Sequence, residues 1–571
     1  MANLNIDIAK ENTYDAIVIG SGISGGWAAK ELTQKGLRVL MLERGHKLDH
    51  ITDYETATKD PWQMPHSDYL TTEQRATHPK LGRARPYNPG TESYWLKDTD
   101  ALYQEDKRFD WFRPNIVGGK SIMWGRQTYR LSDLDFEANA KEGIAVDWPI
   151  RYKDIAPWYS YVEKHVGVSG EKLGLPQLPD SEFLPPMEMY CIEREVRQRI
   201  EKNFPGRVMT IGRVANLSKA TQAQMNMGRA SCQYRYKCSL GCPYGAYFST
   251  QSCTLPPAAK TGRLTLRPDS LVSEILYDEN LKKATGVRVV DTVTMDSREY
   301  FAKLIFVCGS SISSAALLLN SKSNRFPNGL GNDSEQLGHN IMDHHSGIGA
   351  EGHWEGDLDK YYFGRRANGI YIPRYRNYGT DKRDYLRGFG YQGGASRTGW
   401  QREIAEFNFG ADFKERMTQP GPWKMGLGAF GETLPYYENR MYLHPTEKDK
   451  WGQPIVVFDV EFKENEKKMQ IDCVNDAVEM LETSGFTQVK GNTSGSFPGR
   501  GIHEMGTARM GRDPKTSVLN SHNQVHAVPN VFVTDGSGMT SSSCVNPSLT
   551  YMALTARAAD FAIKQVKARN L

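Results

Sequence analysis

The sequence predicts an α/β fold, in which a parallel sheet flanked by helices is joined to a second domain carrying an antiparallel sheet. Three stretches predict it. "DAIVIGSGISGGWAAKELTQKGLRVLML", Asp15 to Leu42, sets an apolar run, a glycine-rich turn, a helical pattern and a second apolar run in order. That order marks a buried parallel strand entering a helix and returning to the sheet. "KLIFVCGSSISSAALLLNS", Lys303 to Ser321, is a second apolar run passing into a helical pattern, without the glycines. "RMYLHP" from Arg440 and "PIVVFDVEF" from Pro454 are short strand-like runs for the antiparallel sheet.

Composition bounds the rest. A chain of 571 residues buries enough surface for two domains or more. Hydrophobic residues at 39% and charged residues at 24% are those of a soluble globular protein. A net charge of +4 with no Lys/Arg run argues against nucleic-acid binding. No 18-residue apolar run is present, so no transmembrane helix is expected. "MANLNIDIAKENTY" has neither a twin-arginine pair nor an apolar core, so no secretory signal is expected there.

In the first element, Gly20, Gly22 and Gly25 form G-x-G-x-x-G. Gly20 permits the tight turn, Gly22 lets a pyrophosphate reach the backbone, and Gly25 lets helix and strand pack closely. The helix N-terminus attracts the phosphate charge. Glu43 ends the second strand and can accept hydrogen bonds from a ribose diol. Strand, helix and acid together indicate a dinucleotide site. No second glycine fingerprint follows, so the expected cofactor is FAD, reduced by the substrate itself and not by a nicotinamide.

Three further stretches carry a resemblance. They are "NIVGGKSIMWGR" from Asn115, "SLVSEILYDENLKKATGVRVVD" from Ser270, and a C-terminal part with "GIHEMGTARMG" from Gly501 and "NVFVTDGSGMTSSSCVNPSLTYMALTARAADF" from Asn530. With the fingerprint, these resemble the glucose–methanol–choline (GMC) oxidoreductases from about residue 14 to the C-terminus. The match is closer to a bacterial branch of sugar and polyol dehydrogenases, gluconate 2-dehydrogenase large subunits and glucoside 3-dehydrogenases, the last nearest. The resemblance implies a Rossmann-like FAD-binding domain from residues 1–160, 230–330 and 500–571. It implies a substrate domain from 161–229 and 331–499, whose antiparallel sheet roofs the flavin. Residues 46–110 read as an excursion covering the site.

The resemblance also carries roles. Gly118, Gly119 and Ser121 match a loop along the flavin. Met123, before Trp124, stands where some relatives bond histidine to FAD; a thioether cannot form that link, so noncovalent FAD is expected. Val272 matches the residue whose backbone meets the adenine, and Asp535 and Gly536 match the segment closing the site near the pyrophosphate. Alcohol oxidation needs a base near neutral pKa, which suits imidazole. His503 matches the catalytic histidine and Asn546 its partner. An asparagine can hydrogen-bond the substrate oxygen without competing for the proton. His344 and His345 fall on a packing motif and are read as structural.

Four of the eight cysteines lie in "RASCQYRYKCSLGCPYGAYFSTQSC", Arg229 to Cys253. Cys232, Cys238 and Cys242 are spaced C-x5-C-x3-C. Structural zinc usually shows closer pairs and four ligands. Disulfides are unusual in a chain that folds before any oxidising compartment. An iron–sulfur cluster takes thiolates from a turning loop with Gly and Pro, and Gly241, Pro243 and Gly245 supply one. The branch resemblance implies a [3Fe–4S] cluster on these three cysteines, with Cys253 left aside. Such a cluster would split the flavin's electron pair for a c-type cytochrome. The resemblance further implies a C3-oxidised glucose or glucoside, and a small signal-bearing subunit that carries the folded chain to the periplasm. A soluble cytoplasmic enzyme is the alternative. So are another sugar, polyol or aldonate dehydrogenase and a non-catalytic electron-transfer subunit.

Overall fold

The computed structural model describes residues 12–360, 364, 366–399 and 409–571. Seventeen strands in the described residues form three sheets. The largest is built on β1 (Thr13–Ile19), which pairs in parallel with β2 (Val39–Leu42) on one side and β8 (Ser297–Val307) on the other. β5 (Leu264–Arg267) extends it beyond β2, and β17 (Val528–Val533) extends it beyond β8. The ladder thus draws strands from both ends and the middle of the sequence. β6 (Ser270–Asp278) and β7 (Lys283–Asp291) attach antiparallel through β8, and β16 (Gln524–Val525) edges β17. β1 and β2 bury nearly every side chain, as continuous apolar runs require when helices cover both faces.

The helices Ile23–Gln34, Tyr152–Val166 and Ser548–Lys567 pack on one another beside this sheet. Tyr159 shares a hydrogen bond with Thr550 (2.8 Å) and Tyr161 donates to Glu31 (2.7 Å). The ring of His165 meets Trp27 edge-on at 5.3 Å. The helix Tyr152–Val166 therefore runs unbroken across residue 160, with contacts to the nucleotide side on both sides of that point.

The second sheet is antiparallel throughout, in the order β15 (Thr487–Asn492), β9 (Gly349–Trp354), β12 (Trp423–Gly431), β11 (Phe389–Arg397), β10 (Ile370–Ile372), β4 (Thr210–Ile211). β12 alternates buried and half-buried residues along its length, the period-2 pattern of a sheet with one face on a core. That core lies against the helix Glu464–Thr483, whose Met469, Cys473, Ala477 and Met480 are fully buried.

One strand expectation is corrected. β13 (Arg440–Lys448) and β14 (Pro454–Asp459) do not join the roof. They pair with each other, and β14 also pairs with β3 (Gln104–Glu105). Aromatic packing explains the choice. Phe458 stacks on Phe109 at 4.2 Å and meets Tyr103 and Trp111 edge-on, so the end of the 46–110 excursion holds this hairpin. The rest of the excursion forms its own small core, from Leu48 and Tyr54 to Trp95, reaching Ile122 and Leu240.

Candidate active site

A cavity of about 460 Å³ runs from the glycine fingerprint to the roof, a size within the usual range for ligand sites. At its far end lie Gly20, Gly22 and Glu43, with Ser270 and Val272 of β6. Gly20 sits at φ +95°, and a Cβ there would come within 2.5 Å of the Cys308 carbonyl. Gly25 does not line the cavity. A Cβ on it would strike the Gly20 carbonyl at 1.9 Å, so it serves the helix–strand approach. At Gly22 a Cβ would meet no atom within 4 Å, leaving backbone bare toward the cavity. Glu43 accepts from Ser21 N (2.9 Å) and Gly45 N (2.8 Å), and a carboxylate retains further acceptor sites for a diol.

Gly119 comes over the fingerprint from the opposite side, where its Cβ would stand 3.7 Å from the Gly22 Cα. Gly118 and Ser121 stay outside the lining and hold the loop. Gly118 N donates to Ser21 Oγ (2.9 Å), and Ser121 Oγ donates to the Gly118 carbonyl (2.6 Å). Met123 and Trp124 line the cavity beyond them, and Asp535 and Gly536 line its floor. Burial raises the Asp535 carboxyl above its ordinary pKa, while Ser314 and Ser537 hydrogen-bond it. Bare glycine backbone, a diol-accepting carboxylate and a buried acid at this spacing fit FAD.

The near end holds His503 and Asn546, 43 residues apart in sequence, with Asn546 Nδ2 3.3 Å from His503 Nε2. Two backbone bonds to the buried Asp343 fix the histidine's segment, from Gly501 N (2.8 Å) and His503 N (3.0 Å). Burial and the neighbouring Glu504 push Asp343 up to about 7.

His344, expected to be a packing residue, belongs to the site. Its Nδ1 lies 2.8 Å from His503 Nδ1, and its Nε2 lies 2.8 Å from the Ser543 carbonyl oxygen. Burial lowers its pKa to about 4, so the ring is neutral at pH 7 and carries one proton. The carbonyl can only accept, which places that proton on Nε2. His344 Nδ1 is then the acceptor, and His503 Nδ1 carries the hydrogen between the rings. His503 Nε2 is therefore bare and faces the amide of Asn546 in the cavity. Burial, first, and the nearby Lys120 charge hold the His503 pKa well below its ordinary value. Asp343, His344 and His503 bring ligand atoms within 4.8 Å of one another, but the two rings already hydrogen-bond each other and the Asp343 oxygens already accept from Gly501 N and His503 N. His345 is a packing residue, its ring against Met469 Sδ (3.2 Å) beneath Gly431.

The roof adds residues that sequence reading missed. Gln392 of β11 donates to Asn546 Oδ1 (2.5 Å), which turns the Asn546 amide nitrogen toward His503. Asn368 and Phe430 line the same end. For Gln392 and Phe430 the only sequence signal is strand alternation, which says which face is inward and not what lies opposite, and Asn368, in the loop before β10, has none.

Cys232, Cys238 and Cys242 line one small separate cavity with Asn216, Tyr244 and Tyr247. Their sulfurs are not mutually within the 4.8 Å that gathers ligands about a single ion, and none of the eight cysteines is bridged. The lining offers three thiols and no carboxylate or imidazole, an all-sulfur donor set of the chemical type that iron–sulfur clusters take. Cys253 lies outside it, buried against Arg229 Nη1 at 3.4 Å.

Comparisons with known proteins bear on the family and the fold. Family models described as GMC oxidoreductase match residues 14–346 and 435–555. The chain is 29% identical to the 2-methyl-1,2-propanediol dehydrogenase of Mycolicibacterium austroafricanum, over 96% of this chain and 94% of that one. It is 26% identical to the fructose dehydrogenase large subunit of Gluconobacter japonicus, over 97% and 98%. Among solved structures it is similar to a pyridoxine 4-oxidase from Mesorbium loti, with a TM-score of 0.62 at 16% identity, covering 96% of this chain and 99% of the other.

Proposed function

The chain belongs to the GMC oxidoreductase family, FAD-dependent enzymes acting on CH–OH donors, and from that premise we propose that it is a sugar dehydrogenase. It oxidises a secondary hydroxyl, at C3 of glucose or a glucoside, to the ketone. The observation that carries the reading is the bare Nε2 of His503, facing the Asn546 amide at the substrate end of the cavity. Nε2 accepts the hydroxyl proton, and Asn546 Nδ2 hydrogen-bonds the same oxygen and holds it in place. Bound FAD would supply the acceptor for the C–H hydride. The relatives are named for a propanediol and for fructose, which supports a polyol or sugar and leaves the C3 assignment to experiment. Incubation with methyl glucoside and a dye acceptor, with the product identified by NMR, tests it. A product oxidised at another carbon, or no product while other sugars turn over, refutes C3.

The electron path is part of the same proposal. Cys232, Cys238 and Cys242 would hold a [3Fe–4S] cluster, which would supply one-electron transfer to a c-type cytochrome. One relative is named as a large subunit, which supports a complex with a small subunit. That subunit would bring the twin-arginine signal and carry the folded chain to the periplasm. No helix among the described residues is long and apolar enough to cross a membrane. Fractionation of cells with and without the small-subunit gene tests the location. Cytoplasmic enzyme in both strains would leave the soluble alternative.

A further inference from the structure

The hydrogen bonds at the near end of the cavity run in one direction, and that direction reaches Gln392. The Ser543 carbonyl sets the His344 proton on Nε2, His503 carries the hydrogen between the rings, and His503 Nε2 is left bare. Asn546 turns its Nδ2 to that nitrogen at 3.3 Å, which leaves its Oδ1 toward the roof. An amide oxygen only accepts, so Gln392 meets it with Nε2, at 2.5 Å. The Gln392 amide is thereby oriented as well, with Oε1 on its other edge. Among the described residues no hydrogen bond reaches this Oε1, and Gln392 lines the cavity.

The roof leaves the amide uncovered. Gln392 sits in β11 opposite Gly428 of β12. A Cβ on Gly428 would meet no atom within 4 Å but the Gln392 carbonyl oxygen, at 3.4 Å. On the other side its partner in β10 is Tyr371, whose ring is stacked on Tyr129 at 4.1 Å. Asn368, another amide at this end, donates to the Gly125 carbonyl at 2.7 Å and is not bonded to Asn546 or His503. Gln392 is bonded directly to the group that meets the reacting oxygen.

We infer that Gln392 Oε1 accepts a hydrogen bond from a second hydroxyl of the substrate, on a carbon next to the one oxidised. The site then presents three groups in a row. His503 Nε2 takes the proton of the reacting hydroxyl, Asn546 Nδ2 donates to its oxygen, and Gln392 Oε1 accepts from its neighbour. A vicinal diol meets all three, and the ketone product keeps the second hydroxyl. The inference rests on the sugar-dehydrogenase reading above and deepens it, naming the residue that separates a polyhydroxy substrate from a simple alcohol. A site built to hydrogen-bond a hydroxyl rejects the analogue lacking it, because its own polar group is left unpaired.

The test compares methyl glucoside with its 2-deoxy and 4-deoxy analogues, which lack one or the other hydroxyl flanking C3, in the FAD-loaded enzyme with a dye acceptor. One of the two analogues should lose roughly 5–150-fold in kcat/KM, the scale of an acceptor left unpaired in a filled site. In Gln392→Leu that preference should shrink to within about twofold. Loss of the bond to Asn546 slows all three sugars alike, so the ratio isolates the acceptor. Gln392→Glu keeps an accepting oxygen but cannot donate to Asn546, so it should keep a preference at a lower kcat. A wild type that disfavours neither deoxy sugar, or a preference unchanged in Gln392→Leu, overturns the assignment. If NMR places the ketone at another carbon, the C3 reading falls, and the deoxy analogues flanking that carbon decide the role of Gln392 by the same criterion.

Binding separates this failure from failure of the broader reading. The oxidised holoenzyme is titrated with the three sugars, and the flavin absorbance change is followed in wild type and in Gln392→Leu at matched FAD content. If no sugar is oxidised, the dehydrogenase reading falls. The acceptor site then stands if the glucoside binds wild type more tightly than one deoxy analogue and the difference vanishes in Gln392→Leu. Equal binding of all three sugars, or no binding, overturns it.

Discussion

His344→Ala should slow alcohol oxidation without releasing FAD. In the wild type, His344 Nδ1 accepts the Nδ1 hydrogen of His503 at 2.8 Å, and this keeps the reactive Nε2 bare. Without the acceptor, the reactive tautomer carries an unpaired buried donor, at a cost of about 1–3 kcal/mol. At 1.4 kcal/mol per tenfold, the reactive population should fall roughly 5–150-fold, and the turnover number should fall with it. His344 does not line the cavity, so KM should change less than kcat. The assay is anaerobic rapid mixing with saturating substrate, following flavin bleaching, after FAD content is shown to equal that of wild type. His344→Asn returns an acceptor near the Nδ1 position and should recover part of the rate. The pH profile gives a second readout. His503 acts deprotonated, so activity is present above its pKa and is lost as pH falls through it. Its lowered pKa puts the acid limb of kcat/KM below 6.5. His344 is neutral above about pH 4 and places no charge beside His503; with its loss the Nδ1 hydrogen has no acceptor, the imidazolium is disfavoured further, and the limb should move lower still. A variant within twofold of wild type, with an unmoved acid limb, would refute the tautomer argument.

Three other outcomes are expected. His503→Ala should retain FAD and lose roughly 10²–10⁴-fold in kcat; near-normal turnover would remove this histidine from the chemistry. Acid precipitation should release the flavin into the supernatant, since Met123 stands in the cavity lining and a thioether offers no covalent link; flavin retained on the denatured chain would contradict this. Cys238→Ser should abolish the iron signal and cytochrome reduction while substrate still bleaches the flavin in a single turnover. Zinc without iron in the wild type would end the cluster proposal.

The nucleotide half was the more legible because its requirements are local. Gly20, Gly22, Gly25 and Glu43 lie within one strand–helix–strand unit, and Gly25 answers to a backbone approach inside it, at the Gly20 carbonyl, although Gly20 itself faces the distant Cys308 carbonyl. The substrate end is assembled by the fold. His503 and Asn546 were readable through their motifs, but Gln392 meets Asn546 across 154 residues and His344 meets His503 across 159. Nothing near Gln392 distinguishes it from its neighbours on β11. In "DHH", adjacent identical side chains take opposite fates, one toward His503 and one against Met469. β13 and β14 have true strand patterns, yet periodicity does not name the partner sheet. The aromatic residues Tyr103, Phe109 and Trp111 decided that.

The two cavities share a wall, and this bears on the electron path. The chain leaving Cys242 reaches Tyr247 and Phe248 within six residues. Tyr247 lines the cysteine cavity and donates to the Ile122 carbonyl. Phe248 accepts from Trp124 Nε1 at 2.8 Å, and Trp124 lines the larger cavity. Two hydrogen bonds therefore tie the thiol loop to the loop along the reacting end, with both Tyr247 and Phe248 fully buried. The 46–110 excursion closes the outer side, where Tyr94 donates to the Leu240 carbonyl at 3.2 Å and Arg235 to the Ala57 carbonyl at 3.0 Å. A zinc or disulfide staple for the loop would need no such link to residues 122–124. For the cluster proposed above, these bonds would hold the thiol loop in a fixed place relative to bound flavin. The excursion packs over the same loop and leaves Tyr236 and Tyr244 exposed, which is where an acceptor for the proposed cluster would approach.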